Sequence, residues 1–122
     1  MGLTLNKDEL KARTKRFALD VMRQVECLPK DRTADILKRQ LMRSGTSVGA
    51  NYRSACRAKS TADCIAKLGI VEEEADETLF WLELLIESKL IQKENVESLV
   101  KEANEILAIT VSSIKTAKLR RK

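Results

Sequence analysis

The sequence predicts an all-α protein, folded as an antiparallel up-down-up-down four-helix bundle. Four segments carry apolar residues that recur with a helical period. The joints between them are only a few residues long, which makes successive helices antiparallel neighbours. Aromatic residues are 3% of the chain and proline occurs once, a balance that favours helix over sheet. At 122 residues the chain reads as one domain, residues 1–122, long enough to bury a core without disulfide staples.

The first helix starts at a capping box, Asn6 with Glu9 three residues on, and Leu5 and Leu10 hold the hydrophobic-staple spacing. Leu10, Thr14, Phe17, Ala18, Val21, Val25 and Leu28 then share a face about 100° wide. Pro29 ends the helix near Leu28, because the residue before proline avoids the α region. Asp31 or Thr33 can cap the second helix, which is expected to run to about Lys59 with Leu37, Leu41, Val48, Tyr52 and Ala55 on its apolar side. Ser60, Thr61, Ala62 and Asp63 form a capping box that restarts the chain as a third helix. Its core face holds Cys64, Leu68, Val71, Ala75, Leu79, Leu82 and Ile86. The fourth helix, from about Lys93 to Ala117, places Val96, Leu99, Val100, Ala103, Ile106, Leu107, Val111 and Ile114 within an arc of roughly 140°. Residues 118–122, with Lys118, Arg120, Arg121 and Lys122, read as a short frayed basic tail.

Several function classes are excluded by what the sequence lacks. Cys27, Cys56 and Cys64 show no CxxC spacing and the chain has no histidine, so no metal site of the usual zinc kinds and no cofactor is expected. Di-iron bundles need Glu-x-x-His pairs, which a chain without histidine cannot supply. Glu72 and Glu83 sit beside the core face of the third helix, where pairing with an arginine or a hydroxyl is expected. Gly45 and Gly49, four apart inside a helical pattern, point to close helix approach rather than to a phosphate loop. A cysteine nucleophile would want a base, and none is recognisable. The chain therefore reads as no enzyme, with no catalytic residues. No apolar run reaches the length of a membrane span and no signal-peptide core opens the sequence, so a cytoplasmic protein with no membrane partner is expected.

Charge is the feature with a functional direction. The net charge is +5, and between Ile36 and Ala62 lie six basic residues with no Asp or Glu. At about 100° per residue, Arg39, Arg43, Arg53 and Arg57 fall within an arc of roughly 80° on the polar side of the second helix, and Arg32 falls inside it. Lys59 extends the basic run. The third helix is acidic where the second is basic, with Glu72, Glu73, Glu74, Asp76, Glu77, Glu83 and Glu87. These walls either meet, within a subunit or between subunits, or stay solvated apart. The third helix is also apolar nearly all round. Phe80, Trp81, Leu84 and Leu85 point away from its core face and read as an oligomer interface, the alternative being cover from neighbouring helices.

The run from Gln40 through Leu41, Met42, Arg43, Ser44, Gly45, Thr46, Ser47, Val48 and Gly49 to Asn51 resembles the signature of the bacterial 23S rRNA intervening-sequence proteins. The likeness continues through Arg53, Ala55, Arg57 and Ser60, through residues 67–77, through residues 81–85, and into Glu105, Ile106 and Leu107. Many members follow the asparagine run with a Glu-Gly pair where this chain has Arg53 and Ser54, so no role of that glutamate carries over. The resemblance implies a compact four-helix bundle that assembles as a homopentamer, five bundles about a channel, with no catalytic residues. Some members are encoded within intervening sequences of 23S rRNA genes, a genomic location and not an activity. The accessory protein of diversity-generating retroelements is similar, a basic pentamer that binds a reverse transcriptase and nucleic acid.

Two functional readings follow. In the first, a non-catalytic oligomer binds nucleic acid, RNA before DNA, through Arg39, Arg43, Arg53, Arg57 and Lys59. In the second, the arginines and the acidic face mediate self-assembly or grip a partner protein, making the chain a structural adaptor. Arginines that ring a free surface favour the first reading, and arginines at subunit interfaces favour the second.

Overall fold

The computed structural model describes residues 6–120. Four helices follow one another, α1 (Lys7–Cys27), α2 (Arg32–Cys56), α3 (Thr61–Glu87) and α4 (Lys93–Arg120), with no strand among the described residues. Their order is up and down. α1 lies on α2, α2 on α3 and α3 on α4, while the α1–α4 seam is the thinnest. That seam is closed by Arg13, whose guanidinium donates to Glu102 at 2.7 Å and to Glu105 at 3.0 Å. Near its other end the Gln24 amide donates to the Asn95 carbonyl at 3.2 Å.

Caps decide where the helices begin. Asn6 accepts from the Glu9 amide at 2.8 Å while the Glu9 carboxylate accepts from the Asn6 amide at 3.2 Å, the reciprocal box read from the sequence. Leu5 of the expected staple lies outside the described residues. Asp31, not Thr33, caps α2 by accepting from the Ala34 amide at 2.9 Å. Ser60 caps α3 through the Asp63 amide at 3.1 Å, but the Asp63 carboxylate reaches back one residue further than expected, to the Lys59 amide. That shift follows from the shorter α2, which ends at Cys56, so that Lys59 belongs to the joint. α4 runs on to Arg120 with Lys118 inside it, so the expected fraying does not begin at Lys118. Arg121 and Lys122 lie outside the described residues.

Core and close approaches follow the periodicity. Leu10, Phe17, Val21, Leu41, Val48, Leu68, Val71, Ala75, Leu82, Val96, Leu99, Ala103 and Ile106 are buried in one cluster. Gly45 and Gly49 let α2 press on α1: a Cβ at Gly49 would stand 3.2 Å from the Thr14 carbonyl oxygen. Between α2 and α3 the buried Thr78 hydroxyl donates to the Ser44 hydroxyl at 2.9 Å, leaving no orphaned polar group there. Leu85 corrects the sequence reading. It is completely buried in the chain's own core instead of pointing away from it. α3 packs on α2 and α4 at once, so its buried arc is wider than a one-sided helix has, and Leu85 shares the α2 flank with Thr78, seven residues before it.

Candidate nucleic-acid interface

The arginines of α2 leave the helix on the side away from Leu41 and Val48, and α1 and α3 flank them. The structure divides them into groups. Arg43 turns toward α3, where it donates to Glu74 at 3.1 Å and to Glu77 more closely still. The Glu77 hydrogen bond and the charges of both carboxylates raise its pKa above the ordinary guanidinium value. Basic and acidic walls thus meet within the chain, at this point. The indole of Trp81 donates to the same Glu77 oxygen at 3.2 Å, which joins Arg43 to an edge-to-face Phe80–Trp81 pair with centroids 5.1 Å apart.

Arg39, Arg53 and Arg57 are exposed and, among the described residues, have no carboxylate within ion-pairing distance. Arg39, two turns into α2, shares a shallow recess with Lys30 and Arg32 near the start of the helix, where Asp31 and Asp35 offset the charge. Arg53 and Arg57 line an open groove between the C-terminal half of α2 and the N-terminal half of α1. Lys59 is exposed on the joint beyond α2, and only its backbone amide is engaged, by Asp63.

Facing Arg53 and Arg57 across the groove are Lys7, Lys11 and Lys15 of α1, which the sequence reading had not connected with them. Their signal was present as lysine at every fourth position. What it lacked was the neighbour, because only the α1–α2 packing at Gly45 and Gly49 puts those lysines opposite the arginines. Asp8 is the single acid of the lining among the described residues, and it holds Lys11 at 3.5 Å. Tyr52 is buried in the core, and burial pushes its phenol up, so it stays neutral.

On α3, Phe80 is 50% exposed while Trp81 and Leu84 are half-buried, so three of the four residues read as an oligomer interface reach the surface. Glu72 and Glu83 make no ion pair among the described residues. Glu74 and Glu77 hold the arginine instead, since they lie on the flank that α2 approaches. Among the described residues, no His, Cys, Asp and Glu side chains come together as a metal-binding group, and no helix is long and apolar enough to cross a membrane.

Residues 7–112 match the family described as 23S rRNA-intervening sequence protein. A crystal structure of a protein of unknown function from the S23 ribosomal protein family of Bacteroides thetaiotaomicron is similar over 91% of this chain and 99% of that one, at 38% identity and a TM-score of 0.84. A search of curated proteins gives no match.

Proposed function

The chain belongs to the 23S rRNA-intervening sequence protein family, and within that frame we propose that it is a non-catalytic protein that binds nucleic acid, RNA before DNA, through the unpaired arginines of α2. One observation carries this reading: the acid-free stretch of α2 leaves Arg39, Arg53 and Arg57 exposed and without an ion-pair partner among the described residues. A planar guanidinium suits phosphate oxygens, and each neutralised phosphate adds a salt-dependent increment to affinity. Arg43 contributes less to such binding than its place on the stripe implies, because Glu74 and Glu77 already hold it. Among the described residues no aromatic side chain lines the groove beside Arg53 and Arg57, so recognition follows charge and shape rather than base identity.

Assembly strengthens the reading. Phe80, Trp81 and Leu84 offer an apolar patch for self-association, and the pentamer implied by the resemblance would repeat the arginines in every subunit. The likeness to the accessory protein of diversity-generating retroelements points the same way. A light-scattering mass with and without a mixed-sequence RNA, at low and at moderate salt, tests both parts. The expected result is an oligomer that gains RNA mass at low salt and loses it as salt rises. A protein that leaves RNA unbound at low salt overturns the proposal.

The adaptor reading keeps one observation of its own, the Arg43–Glu77–Trp81 chain of contacts. It shows how the basic and acidic faces match, and the same match between copies would make α2 and α3 an assembly surface. Loss of oligomer mass on replacing Arg53 and Arg57, together with no RNA affinity, would favour it.

A further inference from the structure

The groove between α1 and α2 has the shape and charge of a seat for a strand rather than for a point contact. It is open to solvent with a volume of about 940 Å³, and Lys7, Lys11 and Lys15 form one bank while Arg53 and Arg57 form the other. Residues four apart on a helix rise about 6 Å, so three cations follow one another along α1 at the order of the separation between successive phosphates of one strand. The second bank runs antiparallel to the first, as α2 does to α1. Thr14, Ala18, Thr46, Gly49 and Ala50 lie between the banks, all small, and Gly49 seats its backbone against the Thr14 carbonyl. Five cations face one carboxylate, Asp8, which engages only Lys11. The two aromatic residues of α1 and α2, Phe17 and Tyr52, are both turned into the core, so among the described residues the groove offers bases no aromatic ring to stack on.

We propose that this groove holds the sugar–phosphate backbone of one strand of a paired RNA segment, with the α1 lysines and the α2 arginines gripping phosphates from opposite sides. The inference rests on the RNA-binding reading above and deepens it: it moves half of the contact onto α1 and selects helical RNA, whose phosphates are regularly displayed and whose bases need no stacking partner. An acidic polypeptide is the competing occupant.

Cys56 lines the groove and Cys27 lies exposed at the far end of α1, so the native thiols report occupancy. The full chain is alkylated with and without a mixed-sequence RNA duplex of about 20 base pairs, and labelled sites are located by mass spectrometry. Duplex is expected to slow labelling of Cys56 severalfold and to leave Cys27 unchanged. In parallel, binding is titrated against salt for wild type and for Lys11→Gln/Lys15→Gln, positions where glutamine keeps a good helix former. The slope of log affinity against log salt should become shallower by roughly 1.8, about 0.9 for each lost contact on a duplex. Wild-type binding with an unprotected Cys56 and an unchanged slope in the variant overturns the groove while leaving RNA binding standing. Tighter binding of an unpaired strand than of the duplex, or protection of Cys56 by polyglutamate and not by RNA, also overturns it. A wild type that binds no RNA sinks the underlying reading first.

Discussion

Gly45 of α2 touches Val21 of α1 so closely that a Cβ on the glycine would stand 2.8 Å from Cγ2 and 2.9 Å from Cγ1 of the valine. Val21 is fully buried and β-branched, so it has one strongly preferred helical rotamer and no room to swing aside. Gly45→Ala gains about 1 kcal/mol of helix propensity but overfills a packed seam, at a cost of about 1–3 kcal/mol. A net loss on the order of 1 kcal/mol is expected. Gly69 of α3 is the counterpart, since a Cβ there meets nothing within 4 Å and Gly69→Ala should keep the propensity gain. Urea unfolding should move the two midpoints in opposite directions. Equal shifts would mean that close approach at Gly45 does not limit the α1–α2 packing.

Lys89 ends α3 in a left-handed conformation, φ 65°. Its amide donates to the Ile86 carbonyl and the Leu90 amide to the Leu85 carbonyl, the two bonds of a Schellman cap. A lysine at this position carries a Cβ penalty of about 1–2 kcal/mol that glycine avoids, partly offset by the greater freedom glycine has in the unfolded chain. Lys89→Gly should therefore raise stability by about 0.5–1 kcal/mol, read as a higher melting temperature with unchanged helicity.

Asp63 gives the protein an acid-sensitive joint. Its carboxylate accepts from the Lys59 amide at 3.1 Å and from the Lys67 ammonium at 3.2 Å, and these bonds, the backbone one foremost, lower its pKa below 3.8. A lowered folded value means that the stabilisation is complete above the unfolded value of 3.8 and is lost as pH falls through the folded one. Asp63→Asn should thus be less stable than wild type at pH 6 and lose less on acidification below about pH 4. Thermal melts at both pH values check this, and parallel acid limbs in the two proteins would refute it.

Most of the bundle was legible because its signals are local. Asn6 with Glu9 and Ser60 with Asp63 mark two helix starts through bonds between residues three apart, and Pro29 marks a helix end by keeping Leu28 out of the α region. Leu85 was misread because helix periodicity shows one buried face, and α3 has neighbours on both flanks. The Arg39, Arg43, Arg53 and Arg57 stripe was legible as a direction around α2 but not as one surface. Whether a given arginine meets Glu77 or faces Lys11 depends on which neighbouring helix stands beside that turn. Pairing across 30 or more residues leaves no local trace.

Phe80 and Trp81 allow the assembly proposal to be separated from packing. Phe80 is half exposed and makes an edge contact with Trp81, whereas Trp81 also donates to Glu77 and covers the core. Phe80→Glu should lower the mass in solution while helicity stays close to wild type and the melting temperature falls less than in Trp81→Glu, because only about half of the Phe80 side chain is sheltered within the chain. A Trp81→Glu variant loses packing as well, so it should shift both readouts. Analytical ultracentrifugation beside circular dichroism distinguishes them, and a wild type that is monomeric at high concentration would remove the assembly step altogether.

Arg43 and the Arg53–Arg57 pair should differ in RNA binding although they share one helical stripe. Arg43 is already gripped by Glu74 and Glu77 and would have to surrender those bonds to reach a phosphate, whereas Arg53 and Arg57 surrender none to a carboxylate among the described residues. Arg43→Gln should therefore leave RNA affinity and its salt slope nearly unchanged and cost the fold about 1 kcal/mol or less for each of its two pairs, the usual range near the surface. Arg53→Gln with Arg57→Gln should leave the fold alone and flatten the salt slope by roughly 1.4 on a single strand or 1.8 on a duplex. The same loss should appear for unrelated RNA sequences, because phosphate contacts carry no base information. Oligomer mass is measured for every variant, since a subunit count that falls would weaken binding through avidity alone. With mass constant, a flattened slope in Arg43→Gln and a wild-type slope in the double variant would reverse the division of labour along α2.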